Sequence, residues 1–372
     1  MTNAARTVLL GAGGYLGRVT ARALVERGLD PILAGRDGNE LAVLADELGG
    51  LDFRVADAAD PGSLTALIHP GDVVISAIAP FRTAGEGVVR AAVTRRAHYL
   101  DTALEPPFIQ LVLQKWGRPA REAGVVVMPS VGFSFSPGSI AGAAALQEAG
   151  PQATRVQIGY FVVGDFGQSS FSAGVLDSVT GSLFEPGLVR RGGVIESEMP
   201  GRRERTYLID GVERTATSIG GPEHFTLAQF QPRLQDVDVF IGWLRPDPNG
   251  RSLLPKSATS TSRLSIGRAL TKMKHRQMLR EAGEGPDAAG RSAMVSMVVA
   301  EAQDASGETL SRVTLTGPNP YDLTARLLAH HAAAVPNCEP TVSGAIGPVS
   351  AFGLNAAIDA ARQAGLERID QA

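Results

Sequence analysis

The chain has 372 residues, 44% hydrophobic and 20% charged, with a formal net charge of −3. That length accommodates two domains with separate cores, and the near-balanced charge gives no electrostatic footprint for nucleic acid, which is excluded as a partner. Cys338 is the single cysteine, which excludes intramolecular disulfides and every multi-cysteine metal site and fits a reducing compartment.

The first element is Thr7-Val-Leu-Leu10, a short apolar run of the kind that forms a parallel strand covered on both faces. Gly11-Ala-Gly-Gly14 follows, and from Tyr15 the period becomes helical, with Leu16, Val19, Ala23 and Leu24 on one face. A strand that turns directly into a helix leaves the first helical N–H groups unpaired, a ready anion site. Gly11 permits the turn, Gly13 and Gly14 let a pyrophosphate approach the backbone beside Tyr15 and Leu16, and Gly17 lets the helix pack on the strand. Pro31 to Ala34 reads as a second strand ending in Gly35-Arg36-Asp37, about twenty residues after the turn, where a dinucleotide ribose is expected. Gly35 makes room there for a 2′-phosphate and the planar fork of Arg36 pairs with it, favouring NADP(H) over NAD(H), while Asp37 partly offsets that preference.

Phe53 to Asp57 reads as a third strand, with Asp57 at its carboxyl end as a candidate for the adenine amino group or, alternatively, a local cap. Asp72 to Ile78 is the clearest strand, and the turn carrying Ser76, Ala77, Ile78, Pro80 and Phe81 is placed beside the cofactor's ribose and nicotinamide. His98 to Asp101 and Val125 to Met128 are two more strands, with helices after each. Val125 to Gln147 is uncharged, but Pro129, Pro137 and four serines favour a strand, loop and helix over a membrane span. The start of the chain has too little apolar length for a signal peptide, and a cytoplasmic protein is expected.

From about Thr154 the pattern shifts. Val156–Val163, Val237–Ile241, Ala293–Ala300 and Leu310–Leu315 read as strands without crossover helices of the expected spacing, hence a mostly antiparallel sheet. Helical character begins near Ala173, Gly187–Gly211 reads as a hairpin or mobile loop, and Ile266–Leu279 as a basic amphipathic helix. Tyr321–Val335 and Ala351–Ala364 are helical again. The expected fold class is α/β: a Rossmann-type doubly wound parallel sheet over residues 1–150, an inserted α+β substrate domain over 151–318, and helices over 319–372 that return to the first domain. A homodimer is expected by analogy with other two-domain dehydrogenases.

The segments Gly11 to Gly17, Leu33 to Asp37, Asp72 to Phe81, His98 to Asp101 with Glu105, Val131 to Pro137, Gly317 to Ala325 and Gly344 to Val349 resemble the saccharopine dehydrogenase-like oxidoreductases, including the trans-acting enoyl reductase group. The resemblance implies the fold and an NADP(H) cofactor. Two departures bear on the substrate: Ser134 and Ser139 stand where the family usually carries aspartates, and Leu104 where it commonly carries glycine. Losing two carboxylates disfavours an amino-acid or polyamine substrate and favours a neutral, apolar one.

The chemistry expected is therefore an NADPH-dependent reduction of a polarised double bond in a small, polyketide- or lipid-like substrate, the protein supplying one proton. Candidate donors are Tyr99, Tyr160 and Tyr321, with Asp101 or Glu105 to polarise them. His330-His331 diverge on a helix and the other histidines lack ligand spacing, so no metal is expected; Glu223-His224 reads as a surface pair. Two alternatives stay open: opine- or saccharopine-type C–N chemistry, with Arg155, Arg191 and Arg233 as a carboxylate clamp, and an NADP-binding sensor, scaffold or non-redox isomerase.

Overall fold

Residues 5–167, 170–183, 185–209, 211–243, 284–339 and 341–369 are described by a computed structural model. The basic helix expected over Ile266–Leu279 lies outside them.

Two sheets organise the chain. The first has seven parallel strands in the order β15-β6-β5-β4-β1-β2-β3. Its strands are β1 (Thr7–Leu10), β2 (Ile32–Gly35), β3 (Phe53–Val55), β4 (Val73–Ser76), β5 (His98–Asp101), β6 (Val126–Met128) and β15 (Gly344–Ala345). Every residue of β1, β4 and β6 is buried, the physical origin of their uninterrupted apolar sequence. The connecting helices are α1 (Tyr15–Glu26), α2 (Gly38–Glu47), α3 (Pro61–Leu67), α4 (Phe81–Thr94), and α5 (Pro106–Lys115) with α6 (Gly117–Ala123) between β5 and β6. Prolines open α3 and α5, where the missing N–H costs no hydrogen bond. From β1 the chain winds to β2 on one side and β4 lies on the other, so the sheet's switch point falls between β1 and β4.

The helix α7 (Ser136–Ala149) leads out of this sheet and is buried from Ser136 through Leu146. A helix apolar all round needs cover on every side, and the second sheet provides it through β7 (Arg155–Gly164), β13 (Met294–Gln303) and β14 (Thr309–Gly317). That sheet has nine strands, the others being β8 (Gly187–Arg191), β9 (Val194–Glu198), β10 (Glu204–Ile209), β11 (Val212–Ser218), β12 (Asp236–Ile241) and β16 (Glu367–Ile369). All its pairs are antiparallel except β7 with β12. The sheet rolls on itself: Arg205 on β10 pairs with Glu301 on β13, and the Arg312 guanidinium donates to the Leu208 carbonyl at 2.8 Å. The roll encloses a second core of Phe161, Tyr207, Phe240, Met297 and Val299. Gly187–Gly211 holds a hairpin, β8 with β9, followed by the whole of β10.

Two further helices, α8 (Ala173–Ser182) and α9 (Glu223–Phe230), sit between strands of the second sheet, and the short α10 (Ala288–Ser292) precedes β13. After β14 the chain returns through α11 (Pro320–Ala334), which packs along α1, then α12 (Pro348–Phe352) and α13 (Leu354–Gln363). Where the sequence reading has only helices beyond residue 319, the chain also gives a strand to each sheet, β15 and β16. At two and three residues these strands carry no readable alternation.

Candidate functional site

The carboxyl ends of β1, β2 and β4 form a cradle. Gly11 sits at φ +89°, and a Cβ on Gly17 would meet the Gly11 carbonyl oxygen. Gly14 is the N-cap of α1 and has no side chain to bond the first-turn N–H groups, and no side chain among the described residues is recorded bonding those of Tyr15 and Leu16. Over Gly13 lies the Glu40 carboxylate, 3.8 Å from the Arg18 guanidinium, and Arg18 also donates to the Gly13 carbonyl at 2.9 Å.

At the end of β2, Arg36 is exposed and has no hydrogen-bond or ion-pair partner among the described residues. The neighbouring Asp37 is occupied: its carboxylate accepts the N–H groups of Asn39 and Glu40 at 2.9 and 3.2 Å and caps α2. A carboxylate so engaged competes poorly for a ribose diol, which leaves the arginine as the free charge at this strand end. Asp57 is exposed and closes its own turn by accepting the Ala59 N–H at 2.9 Å, while Asp60 caps α3.

Between β4 and α4, the Ala77 N–H bonds to the Leu10 carbonyl at 2.8 Å, Ile78 follows half-buried, and Ala79-Pro80 is cis. The Phe81 N–H donates to Glu105 Oε1 at 3.0 Å. Ser178 on α8 donates to the same oxygen at 2.9 Å, so one buried carboxylate joins the β4–α4 turn to α8. Burial raises the Glu105 carboxyl above its ordinary range.

Beside this cradle is a cavity of about 60 Å³. Its walls are Leu16, Leu104, Phe133, Phe171, Val175, Trp243 and Tyr321, with Thr102, Ser130, Ser134 and Thr324 among them, and no charged side chain among the described residues lines it. Phe171 and Trp243 stack at 5.2 Å between ring centres. The Tyr321 hydroxyl accepts the Ser172 N–H at 2.7 Å, which leaves its own proton available, and its ring meets Tyr15 edge-on at 4.9 Å. Tyr15 in turn donates to the Pro286 carbonyl and accepts from Arg291 at 3.1 Å, and Arg291 pairs with Asp322 at 3.0 Å. The start of α1 is thereby tied to the second domain and to α11.

Of the three tyrosines named from the sequence, Tyr321 alone lines the cavity. Tyr160 is fully buried behind Phe133 and Phe135, with ring centres 5.9 and 6.1 Å away, and donates to Glu223 Oε1 at 2.5 Å. Tyr99 is fully buried within the first sheet. Glu223 and His224, expected at the surface, are both buried at the start of α9. Burial pushes the Glu223 carboxyl up to about 8 and His224 down to about 3, so both are neutral in the interior. Glu223 accepts from Tyr160, a partner 63 residues away that local sequence does not reveal. Ser172, Ser178 and Trp243 are likewise site residues that carry no local motif.

The arginines considered as a carboxylate clamp are elsewhere. Arg155 pairs with Asp236 at 2.7 Å, Arg191 pairs with Asp238, Arg233 is exposed, and none lines the cavity. No group of three or more metal-ligating side chains occurs among the described residues.

Residues 7–128 match the family described as saccharopine dehydrogenase NADP binding domain. The match supports NADP(H) binding by this segment. The chain is 34% identical over 145 residues to a lipid droplet localized protein of Caenorhabditis elegans, covering 36% of this chain and 34% of that protein. It is 27% identical over 154 residues to the human saccharopine dehydrogenase-like oxidoreductase, with 36% and 35% covered. Against a putative trans-acting enoyl reductase of Mycobacterium tuberculosis it is 28% identical over 139 residues, covering 36% and 33%. These matches span about a third of each relative's length. The Saccharomyces cerevisiae saccharopine dehydrogenase (L-Glu forming) shares the fold across 99% of this chain and 100% of its own, with a TM-score of 0.57 at 15% identity. The matched residues 7–128 include the glycine cradle at the ends of β1, β2 and β4.

Proposed function

We propose that the chain is an NADPH-dependent oxidoreductase that reduces a polarised C=C bond in a small, apolar substrate of polyketide or lipid type. The observation that carries the proposal is the cavity wall: aromatic and aliphatic side chains, serines, threonines and Tyr321, with no charge among the described residues. An amino-acid or 2-oxo acid substrate needs ion-pairing groups for its carboxylates, and this lining offers none. The names of the mycobacterial and nematode relatives, a putative trans-acting enoyl reductase and a lipid droplet localized protein, support the same direction.

Bound NADPH supplies the hydride. Arg36 holds the 2′-phosphate, and the α1 N-terminus receives the pyrophosphate. The walls exclude water, and Tyr321 donates its hydroxyl proton in a hydrogen bond to the substrate's carbonyl oxygen while Ser172 holds that hydroxyl in place.

The test is NADPH oxidation against a panel of apolar enones, imines and 2-oxo acids. Turnover with the enones supports the reading; turnover confined to 2-oxo acids with an amine would move the assignment to C–N chemistry, and tight binding with no oxidation would indicate a sensor or isomerase. The proposal includes a cytoplasmic homodimer joined through the second sheet, whose β9, β10 and β11 expose Val194, Leu208 and Val212. Among the described residues no helix is long and apolar enough to cross a membrane.

A further inference from the structure

The helix α8 is fastened along one face to the turn between β4 and α4 and to the loop before α5. Gly174, Ser178 and Ser182 recur at four-residue spacing and share that face. A Cβ on Gly174 would stand 3.5 Å from the Ala79 Cβ, Ser178 donates to Glu105 Oε1 at 2.9 Å, and Ser182 donates to the Leu104 carbonyl at 3.2 Å. Beside them Arg82, at the start of α4, pairs with Asp177 at 3.3 Å. Glu105 is buried and gathers three donors: the Phe81 N–H at 3.0 Å, the Leu104 N–H at 3.2 Å and the Ser178 hydroxyl. An ionised carboxyl group only accepts, so its two oxygens hold all three at once. At one end of this connection the turn touches the glycine cradle, since a Cβ on Gly11 would stand 3.0 Å from the Ala77 carbonyl and 3.2 Å from the Ile78 nitrogen. At the other end, Val175 on α8 and Phe171 just before it are cavity wall, and Ser172, the N-cap of α8, donates its N–H to the Tyr321 hydroxyl.

We propose that Glu105 is a positioning residue that carries occupancy of the glycine cradle to α8, so that bound NADP(H) firms the cavity wall. The inference rests on the reading that the β4–α4 turn lies beside bound NADP(H), and it holds whatever the substrate is. A nucleotide in the cradle restricts the turn over residues 77–81. The Phe81 N–H then holds Glu105 and Glu105 holds Ser178, so local opening of α8 becomes rarer. Phe171, Val175 and the Tyr321 hydroxyl are thereby set in place before a substrate arrives. The coupling is reciprocal: a ligand that orders the cavity wall tightens NADP(H) binding by the same factor.

Hydrogen exchange of the full chain, read by mass spectrometry with and without saturating NADP⁺, tests this. In wild type the amides of residues 77–81 and of α8 should both exchange about tenfold more slowly with nucleotide bound. Ser178→Ala leaves the Phe81–Glu105 bond in place, so the slowing should remain at the turn and fall to within about twofold at α8. Ser182→Ala, which removes a buried hydroxyl from the same face without touching Glu105, should keep the α8 response. A merely structural Ser178 would speed α8 exchange with and without nucleotide and leave their ratio unchanged in Ser178→Ala, a result that overturns the proposal. An α8 response lost equally in Ser182→Ala, or absent from a wild type whose turn does respond, overturns it too. A wild-type turn that does not slow with NADP⁺ overturns the placement of the cofactor beside it, and this inference with it.

Discussion

A Cβ atom on Gly17 would stand 2.0 Å from the carbonyl oxygen of Gly11. The first turn of α1 therefore rests on the Gly11 loop, with no room for a methyl group. Gly17→Ala is expected to cost about 1–3 kcal/mol of stability by overpacking and to displace the first-turn N–H groups. Thermal unfolding and an NADPH titration check this; an unchanged Tm with unchanged affinity would refute it.

Arg36 and Asp37 are adjacent but do different work. Removing a charge-assisted hydrogen bond of about 1.5–3 kcal/mol, Arg36→Ala should weaken NADPH binding about 10- to 150-fold and leave NADH binding unchanged. Asp37→Ala should lower stability by about 1 kcal/mol through loss of the α2 cap and leave the NADPH-to-NADH ratio as it is. Calorimetric titration of both variants with both nucleotides separates the two roles. Equal loss of NADPH and NADH binding in Arg36→Ala would remove the 2′-phosphate contact from the account.

Tyr321→Phe keeps the ring against Tyr15 and deletes the acceptor for Ser172. An unsatisfied N–H costs about 1–3 kcal/mol, so a Tm decrease is expected, together with a fall in kcat of at least about tenfold. Tyr160→Phe should destabilise through Glu223 yet keep kcat within about twofold, because Tyr160 lies behind the cavity wall. Kinetics on both variants in parallel discriminate them, and a larger kcat loss in Tyr160→Phe would invert the assignment.

Glu223 makes stability depend on pH. Its folded pKa, about 8, is raised by burial above the usual 4.5, so the folded state binds the proton more tightly than the unfolded chain. The stability this provides is fully present below about pH 4.5 and is lost as pH rises towards 8. Glu223→Gln should remove that decline, gaining on wild type by more than about 1 kcal/mol between pH 5 and 8. Urea denaturation at several pH values measures it, and parallel stability curves for the two proteins would contradict it.

The first sheet was legible because parallel strands covered on both faces are apolar throughout, and each was followed by a short glycine or proline punctuation. Val8 to Leu10 and Val73 to Ile75 are such runs, and their order follows from the winding of the helices. The second sheet was legible at β7, β12, β13 and β14 and in part at Gly187–Gly211, but not at β11 and not as a roll, because Arg205 with Glu301 and Arg312 with Leu208 are contacts about a hundred residues apart. The C-terminal strands were hidden for a different reason: Gly344-Ala345 and Glu367–Ile369 are too short to alternate. In the site, the glycine loop and Arg36 stood out because the chemistry of a phosphate demands them locally. Ser178, Trp243 and the buried Glu223 did not, since each is placed by a partner from another part of the chain.

The most direct test of the central claim is transfer of deuterium from NADPH labelled at the nicotinamide C4 position to an apolar enone, read by mass spectrometry of the product. Delivery of one deuterium to the carbon β to the carbonyl, lost in parallel with activity in Arg36→Ala, is the predicted result. Retention of the label on the nucleotide despite tight, Arg36-dependent binding would show that the cradle holds NADP(H) without redox turnover and would contradict the account.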